Sequence, residues 1–127
     1  MSMQKRRLVV AVVDDDPSML KAVEELLGAR GFMTSLFSSA EEFLAGGTAN
    51  EVDCLLLDIH LGGLSGIELR KQLKASHPAL PVIFMTALED MRQKAVGAGC
   101  VACLSKPFLA SQLFEAIDKA APAASQK

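Results

Sequence analysis

Polar residues close four short apolar runs of this chain. Asp14, Asp15 and Asp16 follow Leu8 to Val13, Asp58 follows Cys54 to Leu57, Thr86 follows Val82 to Met85, and Ser105 and Lys106 follow Val101 to Leu104. Taken singly, a strand-end Asp is an ordinary turn residue, and a lone Thr or Lys carries no message. Asp16, directly before Pro17, reads as a helix N-cap rather than a principal ligand. Gathered in one place, Asp14, Asp15 and Asp58 would repel one another, a crowding that is tolerable if a divalent cation lies among them. Hard oxygen ligands from few side chains, with room left for water and phosphate oxygens, favour Mg²⁺ over a soft metal. Beside such a cation a carboxylate can attack phosphorus and form an aspartyl phosphate. The equatorial oxygens of a phosphoryl group in flight need neutralising or hydrogen bonding, and Lys106 and Thr86 offer an ammonium and a hydroxyl for that task.

For this chemistry the four polar ends must meet, and the spacing of the apolar runs says how. The runs are too short for helices, and their lack of alternation predicts strands buried on both faces, as in a parallel sheet covered by helices. A weaker strand, Met33 to Phe37, falls between the first two and is expected nearer an edge. Helix starts are marked by Asp16 with Pro17, by Ser39 with Glu42 and by Ser65 with Glu68, the last two fitting the capping box. Leu20, Val23 and Leu27 then form one helical stripe, and Leu109, Leu113 and Ile117 another. Glu89 to Val96 reads as a more polar helix, and Gly31, Gly97 and Gly99 punctuate helix ends. Strand and helix alternate five times, which predicts an α/β fold: a doubly wound (βα)5 unit whose parallel five-stranded sheet has the flavodoxin-like order 2-1-3-4-5. In such a sheet ligands bind outside the carboxyl ends of the strands, where the order reverses between strands 1 and 3. Asp14, Asp15 and Asp58 are therefore expected there.

Whole-chain properties bound the reading. The 127 residues, half of them apolar, suffice for one domain with a sizeable core and leave no room for a second. Only Met1 to Gln4 and Ala121 to Lys127 look loosely held, the latter as a tail or linker start. Thirteen Lys and Arg against 15 Asp and Glu give a net charge of -2, which offers no chain-wide field for nucleic acid or acidic lipid. Lys5, Arg6 and Arg7 precede an apolar run that reaches Asp14 after only six residues, whereas secretion signals need about 7 to 15. No stretch approaches the roughly 20 apolar residues of a membrane span. Cys54, Cys100 and Cys103, odd in number and set among apolar residues, argue against a disulfide framework and for the cytoplasm. If Val101 to Leu104 is a strand, Cys100 and Cys103 point to opposite faces and act as small core residues.

These residues resemble the receiver domains of bacterial two-component response regulators, the CheY-like superfamily. The resemblance covers residues 8 to 120, which implies domain limits of 8–120 with an N-terminal extension over 1–7 and a tail over 121–127, and rests on Val12-Val13-Asp14-Asp15-Asp16-Pro17, on Leu57-Asp58-Ile59-His60-Leu61 leading to Gly66, on Pro81 through Ala87, and on Leu104-Ser105-Lys106-Pro107-Phe108. The wording of Cys54 to Asp58 and Leu64 to Leu69 is closest to FixJ-like receivers. The resemblance implies a phosphoacceptor at Asp58, with Mg²⁺ bound by Asp15 directly, by Asp14 mainly through water, by Asp58 and by the backbone carbonyl of His60. It further implies Lys106 on the phosphoryl oxygens, Thr86 hydrogen-bonded to one of them, and a cis Lys106-Pro107 peptide. The phosphoryl donor would be a sensor histidine kinase or His phosphotransfer protein. The signal would leave through helix 4, strand 5 and helix 5, over residues about 89 to 120, to a protein target or to an output domain beyond Lys127. Neither direct nucleic-acid binding nor a membrane role is expected, nor enzymatic activity beyond the domain's own phosphoryl transfer and dephosphorylation.

Three positions depart from the family pattern. Gly62 stands where a Pro is common, so the loop with Gly63 is expected to be less restrained. Cys103 stands where an aromatic ring usually moves with the Thr, which puts that coupling in doubt. His60 and Leu88 flank the site, where they either tune water attack on the acyl phosphate or are plain loop surface. Two rival functions remain: an interaction module of the same fold indifferent to phosphate, and a thiol redox sensor built on Cys100 and Cys103.

Overall fold

The apolar runs become strands because burial on both faces rewards them more than any helix could. In the computed structural model, which describes residues 7–87 and 92–121, they are β1 (Val9–Val13), β2 (Met33–Phe37), β3 (Cys54–Asp58), β4 (Val82–Thr86) and β5 (Ala102–Ser105). They form one parallel sheet in the expected order β2-β1-β3-β4-β5. Every residue of β3 and β4 is buried, whereas the edge strand β2 is only partly so.

The helices are α1 (Pro17–Ala29), α2 (Ala40–Gly46), α3 (Gly66–Ser76), α4 (Arg92–Ala98) and α5 (Ala110–Ala120), with a 3-10 turn at Ala49–Glu51. Odd and even strand positions separate into two cores. Ala11, Val13, Leu55, Leu57, Val82 and Phe84 face α2, α3 and α4 through Phe43, Leu69, Leu73 and Ala95. Val10, Val12, Cys54, Leu56, Ile83 and Met85 face α1 and α5 through Val23, Leu27, Leu113 and Ile117. The sheet is thus the middle of three layers, with its strand ends and its outer strands left to meet solvent.

The start signals act as their chemistry predicts, with one exception. Asp16 caps α1 by accepting from the Ser18 N–H at 3.0 Å, and Ser65 and Glu68 form a full capping box at α3. Ser39 caps α2, but Glu42 reaches past it to the Ser38 N–H at 2.6 Å, so that box is not closed on its own cap residue.

Four other expectations need correction. β5 begins at Ala102, one residue later than expected, because the chain is still turning at Val101, which is 38% exposed. Cys100 therefore precedes the strand, and Cys100 and Cys103 pack against the same core rather than on opposite faces. Leu109 lies outside the apolar stripe of α5: its backbone is extended, the helix starts one residue later, and the side chain is 68% exposed. Gly97 sits within α4, while the positive-φ turns belong to Gly31, Gly47 and Gly99. Of the helix expected from Glu89, the described part is Arg92–Ala98; its start, Leu88, Met1 to Gln4 and the tail beyond Ala121 lie outside the described residues.

Candidate functional site

The site sits where the parallel register delivers it. Val13 pairs with Leu57 across the β1–β3 ladder, so the next residues, Asp14 and Asp58, stand side by side at the end of the sheet. Thr86 pairs with Ser105 across β4 and β5, and the Lys106 N–H donates to the Thr86 carbonyl at 2.7 Å. Asp14, Asp58 and Thr86 are the buried polar or charged residues of the described chain, at 0%, 5% and 1% exposure.

Each carboxylate is oriented by its neighbours. Asp14 Oδ1 accepts from the Asp16 N–H at 2.9 Å, which turns the chain sharply after β1, and Oδ2 accepts from Lys106 Nζ at 2.7 Å. Asp58 Oδ1 accepts from the His60 N–H at 3.2 Å, and Oδ2 accepts from the same Lys106 Nζ, also at 3.2 Å. Lys106 thus bridges two acids that lie 92 and 48 residues away in sequence. Asp15 is exposed, yet one oxygen each from Asp14, Asp15 and Asp58 lie within 4.8 Å of one another. The peptide between Lys106 and Pro107 is cis.

Charge does not balance here. Three carboxylates face one ammonium. Burial, then the charge of Asp14, push the Asp58 carboxyl above the usual carboxylate range, against the opposing pull of Lys106 and the His60 N–H. Burial also works against the Lys106 charge, but the hydrogen bond to Asp14 and the charges of Asp58 and Asp14 outweigh it and hold the ammonium above its ordinary range. A divalent cation would remove the surplus, and three carboxylate oxygens with open solvent on the Asp15 side are a donor set that suits a hard ion keeping several waters.

The residues singled out from sequence therefore come together: Asp14, Asp15, Asp58 and Lys106 by direct contact or proximity, and Thr86 at the adjoining strand end. His60 enters through its N–H, while its side chain is exposed. Leu88 lies outside the described residues. Two further residues carry weight that spacing did not reveal. A Cβ on Gly66 would overlap the carbonyl oxygen of Asp58, so α3 can start this close to the acceptor strand only with glycine in place. Glu41, on α2, accepts from the Leu64 N–H at 2.8 Å in the loop that follows Asp58. The capping box announces a helix start at 66 but not this close approach, and nothing local marks a contact spanning 23 residues.

Comparison with known proteins bears on the family and the fold. Residues 10–118 match the family described as Response regulator receiver domain. The chain is 35% identical over 127 residues to the response regulator protein TodT of Pseudomonas putida, covering 98% of this chain and 56% of that protein. It is 36% identical over 121 residues to the transcriptional regulatory protein FixJ of Bradyrhizobium diazoefficiens, covering 91% of this chain and 59% of that one. The crystal structure of a response regulator receiver domain protein from Clostridium thermocellum superposes with a TM-score of 0.84 at 28% identity, over 91% of this chain and 95% of the other. The chain spans somewhat more than half the length of the two curated relatives. No helix among the described residues is long and apolar enough to cross a membrane.

Proposed function

The chain belongs to the response regulator receiver domain family, and on that premise we propose that it is a phosphoacceptor switch in which Asp58 receives a phosphoryl group from a histidine kinase or His phosphotransfer protein. The observation that carries this reading is Lys106 Nζ held between Asp14 and Asp58, with Asp15 alongside. A carboxylate oxygen of Asp58 attacks phosphorus, the bond to the donor's leaving group breaks, and the electron pair departs with that group. Lys106, already within reach of the acceptor, turns its ammonium to the incoming oxygens, and the Thr86 hydroxyl at the next strand end hydrogen-bonds to one of them. Asp14 and Asp15, with Asp58 and the backbone carbonyl of His60, would hold Mg²⁺. When bound, that ion neutralises charge on the transferring oxygens. Water attack on the resulting acyl phosphate resets the switch.

The new charge on Asp58 favours whichever position of Thr86 and its loop best solvates it, and so shifts an equilibrium between inactive and active shapes. The surface built from α4, β5 and α5 is the readout in this proposal, for a protein target or for an output domain in a longer cytoplasmic regulator. The receiver unit spans 8–120. Cys103, packed partly against the core, replaces the ring that usually accompanies the Thr, so Thr86 and the α4 surface transmit the change without it. The thiol alternative rests on Cys100 and Cys103, which are partly buried against the core; Cys54 is buried and its thiol is pushed up to about 12, chiefly by burial.

Incubation with Mg²⁺ and acetyl phosphate, followed by intact mass measurement, checks the reading. The expected result is a hydrolysable phosphoryl adduct on the native protein and none on Asp58→Asn. An unmodified native protein under saturating donor and Mg²⁺ would contradict it.

A further inference from the structure

Resting on the reading that Asp58 accepts phosphate, we infer that Glu41 is a positioning residue: from the first turn of α2 it holds the loop between β3 and α3, and through that loop the backbone that orients Asp58.

The loop is fixed well at its ends. The His60 N–H donates to Asp58, the Gly66 N–H donates to the Ile59 carbonyl at 3.0 Å, and Ser65 is tied into the α3 capping box. Its middle carries Gly62 and Gly63, and neither has a positive φ, so backbone conformation does not require glycine at either place. A Cβ on Gly62 would meet open space. The resemblance leads one to expect a stiffening Pro there, and none is present.

Restraint comes instead from outside the loop. Glu41 Oε2 accepts from the Leu64 N–H at 2.8 Å. The same carboxylate lies against Gly63: a Cβ at that residue would stand 2.5 Å from Oε2 and 3.1 Å from both Cδ and Oε1. A side chain at 63 would therefore have to displace the Glu41 carboxylate from the loop. The hydrogen bond from Leu64 draws the Glu41 carboxyl below the usual carboxylate range, so the acceptor is ionised at neutral pH.

The helix that carries Glu41 is itself braced against the other wall of the site. Phe43 of α2 meets Phe37 edge to face at 5.2 Å between ring centroids, and the Phe37 carbonyl accepts from the Asp14 N–H at 3.1 Å. One short helix therefore touches the strand end beside Asp14 and the loop beyond Asp58. Slack in the middle of the loop would act on the acceptor through His60, the anchor nearest Asp58, and a small misplacement there slows transfer without unfolding anything.

Three variants separate this role from mere surface packing. Glu41→Ala removes the acceptor, Gly63→Ala pushes the carboxylate away while leaving it in the chain, and Glu41→Gln keeps an acceptor oxygen. For each, the Leu64 amide exchange rate is read by NMR without donor, and the rate of Asp58 phosphorylation by acetyl phosphate with Mg²⁺ is read separately. Glu41→Ala and Gly63→Ala are expected to speed Leu64 exchange and to slow phosphorylation, each by roughly fivefold, the ratio that one hydrogen bond of ordinary net strength commands. Glu41→Gln should stay near native in both, and all three should melt close to the native protein, as surface changes do. Native rates in Glu41→Ala, or faster Leu64 exchange with unchanged phosphorylation, would overturn the role of Glu41 alone. A native protein that takes up no phosphoryl group would overturn the parent reading and the role together.

Discussion

Lys106 decides the electrostatics of the site, because it is the ammonium that reaches both buried acids, at 2.7 and 3.2 Å. Its removal leaves Asp14 and Asp58 facing each other without compensation. Lys106→Met should destabilise the metal-free protein by about 2 kcal/mol, less than the usual cost of breaking a fully buried pair because this side chain keeps some exposure. Urea unfolding at neutral pH measures it. The sign for Asp58 is the reverse. Burial, then the charge of Asp14, raise its folded-state pKa, so the stability it contributes is complete below the ordinary Asp range and is lost as pH rises through the raised value. At neutral pH the ionised carboxylate is therefore a cost to the metal-free fold. Asp58→Asn should raise the Tm by a few degrees at pH 7, with the gain shrinking as the pH is lowered through the carboxylate range. A gain that grows in acid would contradict this assignment of cause.

At the scale of elements, the sheet places the acids and α3 limits how they can be approached. Gly66→Ala would gain roughly 1 kcal/mol of helix propensity, yet its Cβ overlaps the Asp58 carbonyl oxygen, so either strand or helix must shift. A net loss of about 2 kcal/mol or more is expected in thermal unfolding, along with slower phosphorylation. Leu57→Ala, one residue before the acceptor and fully buried, should cost about 2–5 kcal/mol by leaving a cavity. The elements themselves were legible because buried parallel strands announce themselves as unbroken apolar runs, and because Asp16, Ser39 and Ser65 mark helix starts with chemistry rather than statistics. Legibility stopped where the backbone turned against its own composition. Val101 has the side chain of a strand residue in a segment still turning after Gly99, and Leu109 has the spacing of a helix residue just before the helix begins. It stopped also where contacts were distant: Asp14, Asp58 and Lys106 could be gathered by topology, because strand ends on one sheet edge are neighbours by construction. Glu41 and Leu64 share no such rule, and Gly66 hides a steric need behind an ordinary helix start.

Taken as one molecule, the chain is a helix-covered sheet with a local excess of negative charge at a single edge. Ligand binding to the folded state alone stabilises it by mass action, about 2.7 kcal/mol at a hundredfold excess over Kd. Mg²⁺ should therefore raise the Tm by several degrees, and Asp15→Asn should abolish most of that rise while leaving the metal-free Tm nearly unchanged, since Asp15 is exposed. An equal rise in the variant would place the ion elsewhere. In the proposed mechanism the phosphoryl chemistry would fall to Asp14, Asp15, Asp58, Thr86 and Lys106, in a chain that spans somewhat more than half of TodT and FixJ. Locating the acyl phosphate tests that chemistry most directly. After reaction with acetyl phosphate and Mg²⁺, borohydride reduction converts a phosphorylated aspartate to homoserine, and peptide mass spectrometry locates it. Homoserine should be found at position 58, and only when Mg²⁺ was present; homoserine at 14, 15 or 16, or at 58 regardless of Mg²⁺, would contradict the mechanism.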